Sequence, residues 1–133
     1  MYYLGIDPGR DKCGVAVLDK EGNVHEHFVV QTALLDKQIL SVKNSYKFSD
    51  IIIGDGTGAD NIIYILRQSI PGIAVHKIDE YMTTLQARKR YWDIYPPKGL
   101  WKLVPLSLRV PPIPYDDVVA IILVEQYLEN TKP

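Results

Sequence analysis

Residues 2–19 read Tyr2-Tyr3-Leu4-Gly5-Ile6-Asp7-Pro8-Gly9-Arg10-Asp11-Lys12-Cys13-Gly14-Val15-Ala16-Val17-Leu18-Asp19. Two apolar runs, Tyr2 to Asp7 and Cys13 to Asp19, flank a Pro8-Gly9 turn, the punctuation of two short strands joined by a tight connection. Glu21-Gly22-Asn23 turns the chain again into Val24 to Gln31. The amino-terminal part therefore predicts an antiparallel meander of three strands.

Beyond it, Thr32 to Phe48 spaces Leu34, Leu35, Ile39, Leu40 and Val42 at helical intervals, with Thr32 as a candidate N-cap. Asp50 to Gly54 is built around Ile51-Ile52-Ile53, the composition of a strand covered on both faces. Gly54-Asp55-Gly56-Thr57-Gly58 leads into a helix from about Asp60 to Ser69, closed by Pro71-Gly72, and Ile73 to Ile78 reads as a fifth strand. Thr83 with Gln86 makes a capping-box pattern opening a helix to about Trp92. Residues 94–114 hold six of the nine prolines without periodicity and are expected to form an irregular loop. Tyr115 to Leu128 is the last helix, apolar from Val118 to Val124 and so expected to pack on the sheet. The order β-β-β-α-β-α-β-α-α predicts an α/β fold: a five-stranded mixed sheet, antiparallel first and parallel later, flanked by helices.

The chain has 133 residues, 47% hydrophobic and 23% charged, which suits one domain spanning residues 1–133. No apolar run is long enough to span a bilayer, and the chain opens directly on a strand-like segment, so a cytoplasmic location without membrane contact is expected. Cys13 is the single cysteine; a disulfide framework and a cysteine zinc site are excluded, and it reads as a small core residue. The net charge of −1 does not suit a protein that coats nucleic acid nonspecifically. The charge is segregated, however. Between Gln86 and Arg109 stand Arg88, Lys89, Arg90, Lys98, Lys102 and Arg109 against the single acid Asp93, compatible with a basic nucleic-acid-facing edge beside an acidic pocket. Tyr91, Trp92, Tyr95 and Trp101 interleave with this run, either stacking on bases or covering the core.

Asp7, Asp55 and the pair Asp79-Glu80 all fall at predicted strand ends, where ligand sites of such sheets gather. Each has an ordinary explanation: Asp7 as the opening of a turn, Asp79 or Glu80 as an acid near a helix amino terminus, Asp116 or Asp117 as an N-cap. Taken together they offer the hard oxygen ligands that Mg²⁺ and Mn²⁺ prefer. A pair of such ions about 3.5–4 Å apart activates water and stabilises the leaving oxygen of a phosphodiester. The Gly54–Gly58 run is neither a Walker A motif nor GxGxxG and is explained by a tight turn. His25 and His27 share a face of one predicted strand, as a metal pair or as an exposed strand face. No Ser-His-Asp or Cys-His arrangement is evident.

These residues resemble the YqgF-type family, the Holliday-junction-resolvase-like branch of the RNase H-like superfamily. Gly5-Ile6-Asp7-Pro8-Gly9 with Cys13 to Val17 is similar to the family's opening strand, turn and second strand. Asp79-Glu80-Tyr81-Met82-Thr83-Thr84-Leu85-Gln86-Ala87 is similar to its Asp-Glu-Arg block, and Asp116-Asp117-Val118-Val119-Ala120 to its final Asp-x-x-x-Ala helix. The resemblance spans nearly the whole chain and implies a nuclease with Asp7, Glu80 and Asp116 as catalytic metal ligands for Mg²⁺ or Mn²⁺, with Asp55 as a candidate fourth. It implies hydrolysis that leaves a 5′-phosphate and a role in maturing small-subunit ribosomal RNA precursor; the candidate nucleic acid contacts are the basic residues Arg10, Lys12, Arg88, Lys89, Arg90, Lys98 and Lys102. Three positions depart from the family pattern: Tyr81 in place of Arg, Asp55-Gly56 in place of Leu-Pro, and Asp11 where a basic residue is common. Asp117 occupies a position the family does not require.

Two readings compete with a nuclease of structured RNA. One is a resolvase of branched DNA, expected to act as a homodimer presenting two sites; the other is a nucleic-acid-binding module that has lost catalysis. The sequence separates neither RNA from DNA nor monomer from homodimer. An actin-like sugar kinase shares the Asp-x-Gly strand turn, but it closes two domains over ATP and 133 residues supply one.

Overall fold

A computed structural model describes residues 1–56, 58–79 and 116–131, with the backbone but not the side chain of Asp116. The elements are β1 (Tyr2–Asp7), β2 (Lys12–Asp19), β3 (Val24–Gln31), a 3-10 turn (Thr32–Leu34), α1 (Leu35–Ser45), β4 (Phe48–Gly54), α2 (Ala59–Ser69), β5 (Ala74–Ile78) and α3 (Asp116–Asn130). The expected helix from Thr83 to Trp92 and the expected loop at 94–114 lie outside the described residues.

The strands form one sheet in the order β3-β2-β1-β4-β5. β1 pairs antiparallel with β2, and β2 with β3. β1 pairs parallel with β4, and β4 with β5. The mixed sheet expected from the element order is thus present, with β1 at its centre.

Alternation along the strands divides the core between the two faces. Leu4, Ile6, Cys13, Val15, Val17, Ile51 and Ile53 meet Leu35 and Ile39 of α1 and Ile62 and Leu66 of α2 on one face. Ala16, Leu18 and Ile52 meet α3 on the other. Cys13 is fully buried, as its setting in an apolar strand suggested. Val118 to Val124 are all buried, so α3 is enclosed on every side rather than amphipathic.

α3 crosses its face of the sheet from β3 to β5. Near its amino end Asp117 meets His27 of β3. Towards its carboxyl end the Tyr127 ring lies against Tyr3 and His76. Between them the helix rests on Gly5 of β1, where a Cβ would stand 2.4 Å from the Ala120 carbonyl oxygen and 2.6 Å from Val124 Cγ2. Only glycine admits that approach.

Two local expectations are corrected. The helix expected from Thr32 to Phe48 ends at Ser45: Tyr46 is extended, its N–H closing the last turn on the Val42 carbonyl at 2.8 Å. Phe48 instead opens β4 opposite Tyr2 and is buried in the core, so a strand with an apolar partner prevails over continued helical spacing. Thr32 is not an N-cap. The residue preceding the 3-10 turn is Gln31, and the Thr32 hydroxyl donates to the Gly9 carbonyl at 2.8 Å. No described helix is long and apolar enough to cross a membrane.

Candidate functional site at the carboxyl ends of the parallel strands

Asp7 is the last residue of β1, opposite Gly14 of β2, and is half-buried. By alternation it follows Tyr3 and Gly5 onto the face that α3 crosses, two residues beyond the contact with Ala120. Asp116 is the first residue of α3. Asp7 and the opening of α3 therefore share one face of the sheet, which brings the first and last candidate ligands to it from opposite ends of the sequence.

The turn after Asp7 is tightly held. A Cβ on Gly9 would meet the Lys12 carbonyl oxygen at 2.1 Å, so the chain can double back only with glycine there. From the far side of β2, Thr32 grips the turn twice. Its hydroxyl donates to the Gly9 carbonyl, and its backbone N–H donates to the Asp11 carbonyl at 2.9 Å. The Cys13 thiol lies 3.3 Å from the same hydroxyl. Arg10 and Lys12 are exposed on this turn and, with Asp11, line a shallow depression. Two of the expected nucleic acid contacts thus stand immediately after Asp7 on a fixed turn.

Asp55 lies one residue beyond β4 and is exposed; its backbone N–H continues the parallel ladder by donating to the Ile78 carbonyl at 2.9 Å. On β4 the residues facing α3 are Ile52 and its alternates, which places Gly54 on that side and carries Asp55 towards the other. Asp79, just past β5, is exposed. Glu80, Arg88, Lys89, Arg90, Lys98 and Lys102 lie outside the described residues. Among the described residues no three His, Cys, Asp or Glu side chains come close enough to hold a metal ion.

The histidines do not form a metal pair. The register of β2 with β3 slips between Val17 and Leu18, inserting His25 as an extra residue. This bulge sends the two imidazoles to different neighbours. His25 Nε2 pairs with Asp19 Oδ2 at 2.9 Å and its ring packs edge-on against Tyr2. The hydrogen bond from His25, with those from the backbone N–H groups of Glu21 and Asn23, holds the Asp19 carboxyl well below the usual carboxylate range. His27 remains on the α3 face.

There it meets a residue that sequence reasoning set aside. Among the described residues, Asp117 is the buried acid, 5% exposed, and its Oδ2 lies 2.7 Å from His27 Nδ1. Its Oδ1 lies 3.0 Å from the Val118 backbone nitrogen. At the other end of the helix, His76 Nε2 lies 2.9 Å from Asp50 Oδ1 and 3.4 Å from the Tyr127 hydroxyl. Burial, followed by the nearby Asp50 carboxylate and Tyr3, raises the Tyr127 phenol above its ordinary value. α3 is thus tied to the sheet at its amino end by the imidazole–carboxylate contact of His27 with Asp117, and at its carboxyl end by the Tyr127 hydroxyl against His76.

No family model matches the chain. It is 29% identical over 146 aligned positions, covering 98% of this chain and 96% of the relative, to a protein of Acetivibrio thermocellus named "Putative pre-16S rRNA nuclease". Among solved structures it superposes on Thermus thermophilus RuvC with a TM-score of 0.60 at 15% identity, covering 98% of both chains. It also superposes on T. thermophilus RuvC in complex with a Holliday junction substrate, with a TM-score of 0.58 at 16% identity, covering 98% of this chain and 95% of that one. The fold is therefore RNase H-like in the manner of RuvC. The resemblance to the YqgF-type family read from the three sequence blocks agrees with both comparisons.

Proposed function

We propose that this chain is a divalent-metal-dependent nuclease of the YqgF type, cutting phosphodiester bonds in structured nucleic acid, with Asp7, Glu80 and Asp116 as its metal ligands. The observation that carries this reading is the placement of Asp7 at the carboxyl end of the central strand, on the face crossed by the helix that Asp116 opens. The relative named for pre-16S rRNA, similar across nearly the full length of both chains, supports a ribosomal RNA precursor as the substrate.

The donor chemistry fits Mg²⁺ or Mn²⁺. Carboxylate oxygens are the ligands offered at the strand end, while the thiol of Cys13 is buried on the opposite face. Bound there, such ions supply Lewis-acid activation of water and charge stabilisation of the leaving oxygen. Water attacks phosphorus in line, the bond to the 3′ oxygen breaks, and the products carry a 5′-phosphate and a 3′-hydroxyl. Arg10 and Lys12 hold flanking phosphates from the fixed turn, contacts that set register and orientation without reading sequence. Asp55, which alternation along β4 carries towards the opposite face, is left out of this ligand set. Arg88, Lys89, Arg90, Lys98 and Lys102 extend the phosphate contacts. A monomer or a homodimer suits an RNA substrate, and a homodimer presenting two sites is the form that would serve branched DNA.

Cleavage of labelled small-subunit ribosomal RNA precursor and of a labelled four-way DNA junction, side by side in Mn²⁺, tests this with wild type and Asp7→Asn. Cleavage of the RNA that vanishes in the variant is expected. Cleavage of the junction alone would replace the RNA substrate by branched DNA, and binding of either without cleavage would leave a binding module.

A further inference from the structure

Apolar contact holds α3 to the sheet along Val118 to Val124, but such contact is non-directional and does not by itself fix how far a helix slides or turns. A directional contact at its amino end is the bond between His27 Nδ1 and Asp117 Oδ2 at 2.7 Å. Its side chains are 26% and 7% exposed. Burying a carboxylate has a desolvation cost that a hydrogen-bonded partner only offsets, and an apolar pair of similar volume commonly stabilises a fold as well or better. Stability alone is therefore a poor account of this pair. What it adds is geometry: it fastens the residue beside Asp116 to β3, and β3 is joined through β2 to the strand that ends in Asp7.

We propose that His27 and Asp117 are positioning residues, fixing the first turn of α3 against β3 so that the carboxylate of Asp116 is presented to metal together with that of Asp7. This deepens the nuclease reading and rests on it. The imidazole donates from Nδ1 to the carboxylate. The second carboxylate oxygen accepts from the N–H of the next residue, Val118, at 3.0 Å.

The test pairs Mn²⁺ binding, read from the loss of the free-ion EPR signal, with cleavage rates across Mn²⁺ concentrations. Replacing both partners in His27→Leu/Asp117→Leu removes the bond without leaving one partner facing an apolar substitute; it also removes the acceptor at the Val118 N–H, so the variant should keep the fold with a small fall in the urea midpoint. Its Mn²⁺ affinity, and the Mn²⁺ concentration giving half-maximal cleavage, should worsen by about 10–100-fold, the usual effect of losing an outer partner of a metal ligand. Nucleic acid affinity measured in Ca²⁺ should stay near that of wild type. Asp117→Asn, which keeps an acceptor for the imidazole, should recover most of the loss.

A folded double variant with wild-type Mn²⁺ affinity would overturn the proposal, as would an Asp117→Asn variant no better than Asp117→Leu. If wild type binds Mn²⁺ but cuts neither substrate, the nuclease reading fails while the binding isotherms still decide the role of the pair. If wild type binds no Mn²⁺, both fall.

Discussion

Gly5 lies directly beneath Ala120: a methyl group on Gly5 would stand 2.4 Å from the Ala120 carbonyl oxygen, a backbone atom that no side-chain rotation can move aside. Gly5→Ala must therefore lift or shift α3. Overpacking of this kind costs about 1–3 kcal/mol, and the urea midpoint should fall accordingly. Because the displaced helix begins with Asp116, cleavage should fall further than the fraction of unfolded protein explains.

Asp7→Asn keeps the volume and polarity of the side chain at the end of β1 and removes its charge. Cleavage should drop by more than about 100-fold, beyond the loss typical of an outer partner. Without metal, mutual repulsion among the carboxylates is relieved, so the metal-free melting temperature should not fall. A clear decrease in that temperature would argue against an acidic cluster.

Thr32 offers a test of the turn that follows Asp7. Thr32→Val leaves the shape but removes the donor to the Gly9 carbonyl. The expected loss is about 1 kcal/mol in urea denaturation, and Thr32→Ser should restore most of it.

Asp19 predicts a pH dependence. Its carboxyl is held below the ordinary value of 3.8, first by His25 and then by backbone N–H groups. A lowered folded-state value means that its stabilisation is complete above about pH 4–5 and fades as pH falls through the acid range. Asp19→Asn should therefore be less stable than wild type at neutral pH, with the difference narrowing at pH 3. A gap unchanged between the two pH values would refute this account.

Much of the sheet was legible because its signals are local. Tyr2 to Asp7 and Val24 to Gln31 were bounded by turn residues and run as expected. The Ile51-Ile52-Ile53 centre marked a strand buried on both faces. The end of α1 was not legible, since Phe48 continued a tolerable helical spacing and only its pairing with Tyr2 draws it into β4. The two-residue period that united His25 and His27 fails at a bulge, which depends on β2 as well as β3. Asp117 was passed over because its partner His27 stands 90 positions away. No local pattern distinguishes a buried acid bonded across such a span from an ordinary helix-opening one. The positions of Asp7 and of the start of α3 bear on the candidate site; Glu80 and the basic run from Arg88 to Lys102 lie outside the described residues.

The seat of Ala120 on Gly5 joins the first strand to the last described helix, among the longest loop closures this chain can make. Contacts of such separation cost the most chain entropy to form and tend to slow folding. During synthesis α3 follows all five strands, so the apolar face of Ala16, Leu18 and Ile52 stays uncovered until residues 116–131 emerge. Until those residues are made, the sheet has one face clothed by α1 and α2 and the other bare.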